Sequence, residues 1–270
     1  MTVLLQVSDT HFGTEQPAVV EAVVELALRE RPELVVLSGD ITQRARPVQF
    51  AAARAFTDRL GAPVLAIPGN HDIPLFDLFS RALRPYARYR AAFGHALEPV
   101  HESAGLLVLG VKTTRRWRHV EGQLSEAQTE RVARRLEVAS PGQLRVVVVH
   151  QPLAVPDAYE ANHLLLGHAT AARRWAQAGA DLVLGGHIHL PYTVVLDQAP
   201  RPLRVVHAGT AVSSRTRTGV PNSVNLLRWH PDVSPASCCI ERWDYVTSLR
   251  RFVEASSAAF TPHRNPGVLR

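Results

Sequence analysis

Carboxylate, amide and imidazole side chains recur in this chain just beyond short apolar runs. Val3–Val7 runs into "SDTH", which supplies Asp9 and His11, and Leu34–Leu37 runs into "SGD", which supplies Asp40. Val64–Ile67 leads to "PGNHD" with Asn70, His71 and Asp72. Val146–Val149 ends at His150, and Leu182–Leu184 leads to "GGHIH" with His187 and His189. A single Asp or His in such a place is ordinarily a cap or turn residue; the recurrence is what carries chemistry. Asp9, His11, Asp40, Asn70, His150, His187 and His189 form a donor set of carboxylates, an amide and imidazoles without a thiolate. That set suits Mn, Fe, Zn or Co in a reactive site rather than a structural zinc cage. It is too large for one ion but fits two if a carboxylate is shared. Two ions held about 3.5–4 Å apart form the clamp used in phosphoryl hydrolysis.

Such donors converge only if the elements carrying them end on one edge. The strand-like runs at 3–7, 34–37, 63–67, 105–111, 144–149 and 181–184 are rich in Val, Leu and Ile, and helical patterns lie at 17–30, 47–60, 125–138 and 168–178. This alternation predicts βαβ units with parallel pairing, and ligands in such sheets bind beyond the carboxyl ends of the strands. In extended chain residues i and i+2 point the same way, so Asp9 with His11, and His187 with His189, are expected to face one side together. The glycines before Asp40, Asn70 and His187 are expected to permit sharp turns and close approach.

After His189 the segments 192–196, 203–207, 222–229 and 237–245 read as an antiparallel block of strands. The predicted fold class is α/β (α+β): two packed mixed sheets flanked by helices, in one domain over residues 1–250. Residues 68–104 read as a long irregular stretch, with a possible lid insertion at 73–104, and 251–270 as a C-terminal tail whose last fifteen residues read as poorly ordered.

Composition is ordinary for a globular protein, with 46% hydrophobic and 20% charged residues. No apolar run approaches a membrane span, and no signal peptide is visible, so the expected location is cytoplasmic. Cys238 and Cys239 are adjacent, too close for an ordinary disulfide, and read as inert residues in a late strand. The net charge of +6 comes from arginine, Lys112 being the sole lysine. The arginines are scattered without a basic run, so no clear nucleic-acid surface is expected.

The order Asp-x-His, Gly-Asp, Gly-Asn-His-Asp, His, Gly-His-x-His, extended by "HAGTAVSSR" at 207–215, resembles the calcineurin-like metallophosphoesterases. The resemblance implies that Asp9, His11, Asp40 and His189 hold one ion and Asp40, Asn70, His150 and His187 the other, with Asp40 as bridge. It implies attack on phosphorus by a metal-bridging hydroxide, with His71 assisting the leaving group. Asp72 either orients His71 or stabilises the loop. The remaining histidines read as surface or packing residues; His163, His207, Arg215 and Arg217 are the exceptions to watch near the site.

Protein phosphatases of that family carry Asp-Arg-Gly after Gly-Asp, whereas this chain reads "GDITQRARP". Together with "GQLSEAQTERVARRLE", the pattern is closer to bacterial class III cyclic-nucleotide phosphodiesterases and glycerophosphodiesterases. The expected substrate is a small-molecule phosphodiester. The alternatives are a lipid-linked nucleotide pyrophosphatase of UDP-diacylglucosamine type, with "LFDLFSRALRPYARYRAAF" at 75–93 as an apolar lid, a nuclease, or a non-enzymatic interaction module on the same fold.

Overall fold

A computed structural model describes residues 1–263. The elements run β1 (Thr2–Val7), α1 (Pro17–Glu30), β2 (Leu34–Leu37), α2 (Pro47–Thr57), β3 (Val64–Ala66), α3 (Leu78–Leu83), α4 (Ala87–Phe93), β4 (Val100–Glu102) and β5 (Leu106–Gly110). They continue α5 (Glu126–Glu137), β6 (Leu144–Val148), α6 (His168–Ala178), β7 (Leu182–Gly185), β8 (Tyr192–Leu196), β9 (Leu203–His207), β10 (Ser223–His230), β11 (Ser237–Val246) and β12 (Arg251–Phe260). The helix starts follow local chemistry. Pro17 and Pro47 open α1 and α2 with φ already set, and Ser125 caps α5 by accepting from the Gln128 amide.

The strands form two mixed sheets, in order β12-β11-β10-β1-β2-β3 and β4-β5-β6-β7-β9-β8. Within them β1-β2-β3 and β5-β6-β7-β9 are parallel. Alternation along each strand divides the core into layers. Leu4, Leu34, Val36, Val146, Val148 and Leu184 fill the space between the sheets. Val35 and Leu37 face α1 and α2 on the first sheet, while Val147, Val149 and Val183 face α5 and α6 on the second. Strands covered on both faces read as unbroken apolar runs, which is why the sequence displays them so plainly.

Three expectations need correction. The late antiparallel block is divided: β8 and β9 extend the second sheet, β9 pairing in parallel with β7, while β10 to β12 extend the first. The stretch at 68–104 is not irregular, for it contains α3, α4 and β4, and Tyr89 of α4 is buried with its hydroxyl donated to the Ala66 carbonyl (2.6 Å). The expected tail begins instead with the edge strand β12, paired along β11, because its side chains complete the pleat although its composition is small and polar. The remainder of that tail, from 264, lies outside the described residues. Cys238 and Cys239 lie on β11 as free thiols. No helix among the described residues is long and apolar enough to cross a membrane.

Candidate metal centre

At the carboxyl ends of β1, β2, β3, β6 and β7 the interlayer core turns polar. Buried Gln6, on β1, donates across the gap to the Gly185 carbonyl of β7 (2.8 Å) and to Ser38 Oγ (3.2 Å), which ties the two sheets together at this edge. Asp9, His11, Asp40, His187 and His189 all have positive φ, between 42° and 77°. Non-glycine residues avoid that region unless the surroundings hold them there. The ligand pairs therefore converge through left-handed turns, not through the extended alternation expected from sequence. His187 and His189 consequently serve opposite halves of the site. Gly39, at φ 98°, is packed so closely that a β-carbon would strike the His150 ring, and one on Gly69 would strike the backbone of Asp40. Close approach is what these glycines permit.

Three overlapping groups result: Asp9, His11 and His189; His11, Asp40 and His71; and Asp40, His150 and His187. Asp40 is central to them. Its Oδ1 lies 3.2 Å from His150 Nε2 and accepts the His71 backbone N–H (2.8 Å), while its Oδ2 lies 3.8 Å from His11 Nε2. Asn70 Oδ1 joins the His150 side at 3.2 Å. On the other side His189 Nε2 is 3.4 Å from Asp9 Oδ1 and 2.9 Å from His11 Nε2. All seven residues singled out from the sequence are thus brought together.

The donor set fits bound cations. The far nitrogens of His150 and His189 face the carbonyls of Ser38 (2.9 Å) and Arg215 (2.7 Å). Carbonyls only accept, so each Nδ1 carries its proton and each Nε2 is left toward the centre, the usual support of a metal-bound imidazole. His187 Nδ1 is buried with no hydrogen-bond partner, an orphan that a metal would satisfy. Electrostatics agree. Burial pushes Asp9 up, but His189 and His150 outweigh it and hold its pKa at about 2. Asp40 is likewise held well below the usual range, against burial, by His150, His71 and His11. Burial brings His11 and His187 down to about 3, so both are neutral, as ligands must be. Burial opposes protonation of His150, yet Asp40 and Asp9 raise it to about 9.

The surroundings settle several open roles. Asp72 does not touch the His71 ring. Its carboxylate accepts from the amides of Ile41 (3.0 Å), Thr42 (2.8 Å) and Gly69 (2.9 Å) and from Thr42 Oγ1 (2.8 Å), stapling the β2 and β3 loops. His71 is oriented instead by Gln43, whose carbonyl faces His71 Nδ1 at 3.0 Å, leaving Nε2 4.0 Å from Asp40 Oδ2. His163 lies beside the centre, its Nδ1 3.3 Å from His187 Nε2. His207 lies beneath it, fully buried, stacked on Tyr192 and bonded to the Gly186 carbonyl (3.0 Å). Arg217 is engaged by Glu160 (2.7 and 3.0 Å).

One site neighbour was missed: Gln43 carried no signal beyond its closeness to Asp40. His119, whose stretch 119–122 was expected to bear on substrate choice although the ring itself read as surface or packing, stands with that ring 6.3 Å from the ring of His71. The loop bearing His119 is tied to α3 by Arg81, which donates to the Arg118 carbonyl (2.9 Å).

A family model described as calcineurin-like phosphoesterase matches residues 2–191. Over 80 residues the chain is 40% identical to the glycerophosphodiester phosphodiesterase GpdQ of Enterobacter lignolyticus, covering 26% of this chain and 29% of that one. Over 161 residues it is 27% identical to a probable cyclic nucleotide phosphodiesterase of Synechococcus, covering 55% and 57% respectively. The chain thus matches less than two thirds of the length of either relative. The fold resembles a dimetal phosphatase from Danio rerio with a TM-score of 0.68 at 14% identity, covering 97% of this chain and 99% of the other.

Proposed function

This chain belongs to the calcineurin-like phosphoesterase family, and we propose that it is a dinuclear phosphodiesterase acting on small-molecule diesters of the cyclic-nucleotide or glycerophosphodiester kind. The carrying observation is Asp40, whose two oxygens face the two halves of one buried centre. Asp9, His11, Asp40 and His189 would hold one ion, and Asp40, Asn70, His150 and His187 the other, with Mn, Fe, Zn or Co matching their donor chemistry. When bound, such a pair acidifies a water and neutralises phosphoryl oxygens.

The chain's own part is orientation and proton delivery. The Gln43 carbonyl fixes the His71 ring so that Nε2 is turned toward Asp40 and the centre, at 4.0 Å. As the bond from phosphorus to the leaving oxygen breaks and one to the water oxygen forms, His71 gives its Nε2 proton to the departing alkoxide and later regains one from solvent. The products are a monoester and an alcohol, both on one molecule when the diester is cyclic. The names borne by the two relatives support a diester substrate.

One observation favours a second reading, a lipid-linked diester or pyrophosphate. Phe76, Leu78, Phe79 and Leu83, in and beside α3, are 66–78% exposed, and so much unburied apolar surface suits an acyl chain.

The test is hydrolysis of bis-p-nitrophenyl phosphate by metal-free protein reloaded with Mn²⁺, followed by cyclic nucleotides, glycerophosphodiesters, a nucleotide-sugar lipid, a monoester and a DNA oligonucleotide. Metal-dependent cleavage of soluble diesters in preference to the monoester is expected. Preference for the lipid would establish the second reading, and preference for DNA a nuclease. Absence of cleavage with every metal would overturn the enzymatic assignment and favour an interaction module.

A further inference from the structure

We infer that Arg215 is a substrate-contacting catalytic residue whose guanidinium takes a phosphoryl oxygen of the diester beside His71. The inference rests on the phosphodiesterase reading and adds a residue that neither the metal centre nor His71 accounts for.

Its place in the fold is fixed from several directions. Arg215 ends the "HAGTAVSSR" segment after β9. Its amide donates to Ser213 Oγ (3.1 Å), and that oxygen shares a hydrogen bond with Thr210 Oγ1 (2.8 Å). The Ser213 carbonyl accepts from Asn222 (2.8 Å) and Gln16 (3.1 Å), and the Ser214 amide donates to the Thr14 carbonyl (2.9 Å). Arg215's own carbonyl holds His189 Nδ1 (2.7 Å). A segment bonded on every side presents its side chain without paying for reorganisation when substrate arrives.

The guanidinium has an unusual set of neighbours. Its Nη1 donates to Gln43 Oε1 (2.9 Å) and lies 3.3 Å from His11 Nδ1 and 3.4 Å from His71 Nε2. Among the described residues no carboxylate forms an ion pair with it, whereas nearby Arg217 is bound by Glu160. A guanidinium that no described carboxylate neutralises, set between His71 and the buried centre, is placed to take an oxyanion. Arginine is well matched to it, since its planar fork binds phosphoryl oxygens in fixed geometry. Gln43 couples the parts: its carbonyl sets His71 and its side chain sets Arg215.

The test compares Arg215→Ala and Arg215→Lys with the parent protein, all loaded with Mn²⁺, on bis-p-nitrophenyl phosphate, with elemental analysis, thermal unfolding and inhibition by orthophosphate. For Arg215→Ala the expected result is a fall in kcat/KM of roughly 10²–10³-fold, the loss typical of one removed oxyanion donor. Metal content and melting temperature should be retained, and orthophosphate inhibition should weaken by about tenfold or more. Added guanidinium ion should restore part of the rate to Arg215→Ala, and Arg215→Lys should fall between the two because the fork is lost. A merely structural arginine would give neither rescue nor weaker orthophosphate inhibition. The assignment is overturned if Arg215→Ala keeps its rate and orthophosphate inhibition, or if its loss simply follows lost metal or lost stability. If the parent protein cleaves no diester, the phosphodiesterase reading fails first. Direct titration of orthophosphate into the Mn²⁺-loaded proteins then decides Arg215 alone, equal affinities overturning it.

Discussion

Replacing Asp72 with asparagine separates a structural carboxylate from a catalytic one. The side chain lies next to His71 in sequence, which suggests an orienting role, yet its oxygens contact the amides of Ile41, Thr42 and Gly69 and the Thr42 hydroxyl. Burial and the charge of Asp40 push its pKa up to about 6 against the pull of those amides, so at pH 8 it is ionised and acts as an acceptor only. A carboxamide offers one acceptor oxygen. If its nitrogen takes the place of Oδ2, the Ile41 and Gly69 amides lose their acceptor; if it takes the place of Oδ1, the Thr42 amide does, although the Thr42 hydroxyl can rotate to accept. One or two buried donors are therefore stranded, each at about 1–3 kcal/mol, while relief of the buried charge that raises the Asp72 pKa offsets part of that cost. A net loss of about 1–2 kcal/mol is expected, a sizeable share of the roughly 5–15 kcal/mol that holds a domain folded. At roughly 2–4 °C per kcal/mol for a chain near this size, the melting temperature of metal-free protein should fall by about 2–8 °C. The metal is removed because bound ligand adds stability of its own. Assayed well below its melting temperature with metal restored, Asp72→Asn should lose less than about tenfold in kcat/KM, far short of what an acid–base group supplies. The reasoning is refuted by the converse pattern, in which stability is unchanged and turnover falls as far as in a His71 variant.

The other expectations are simpler. His71→Ala should retain its metal content by elemental analysis and lose roughly 10²–10⁴-fold in turnover, the usual range for a single proton-transfer group; unchanged turnover removes His71 from the mechanism. Asp40→Ala should lose occupancy in both halves, because each faces one of its oxygens, and two ions still found per chain would defeat the bridging assignment. Loading the metal-free protein should release protons, since Asp40 and Asp9 hold His150 at about 9 despite its burial and a ligand must shed its proton. Apparent metal affinity should therefore rise with pH until about 9, and calorimetry in buffers of different ionisation enthalpy would reveal the release or its absence.

What the sequence determined by itself were the elements with local or strongly periodic signals. Strands covered on both faces display themselves as apolar runs, helices as repeating stripes, and the acids and histidines that follow these strands mark the reactive edge. Asp9, His11, Asp40, Asn70, His150, His187 and His189 were legible because each stands just beyond such a run. Tertiary structure alone decided which sheet β8 to β12 would join and that β12 would be a strand, since an edge strand takes its order from its partner rather than from its composition. It alone decided the left-handed turns at Asp9, His11, Asp40, His187 and His189, which non-glycine residues hold only when packing on every side compels them. It alone brought Arg215 and Gln43, 172 positions apart, to the face of His71, and it turned Asp72 away from that ring. Periodicity and motif spacing act over a few residues, whereas these contacts arise only when separate segments are packed against one another, so no local pattern records them.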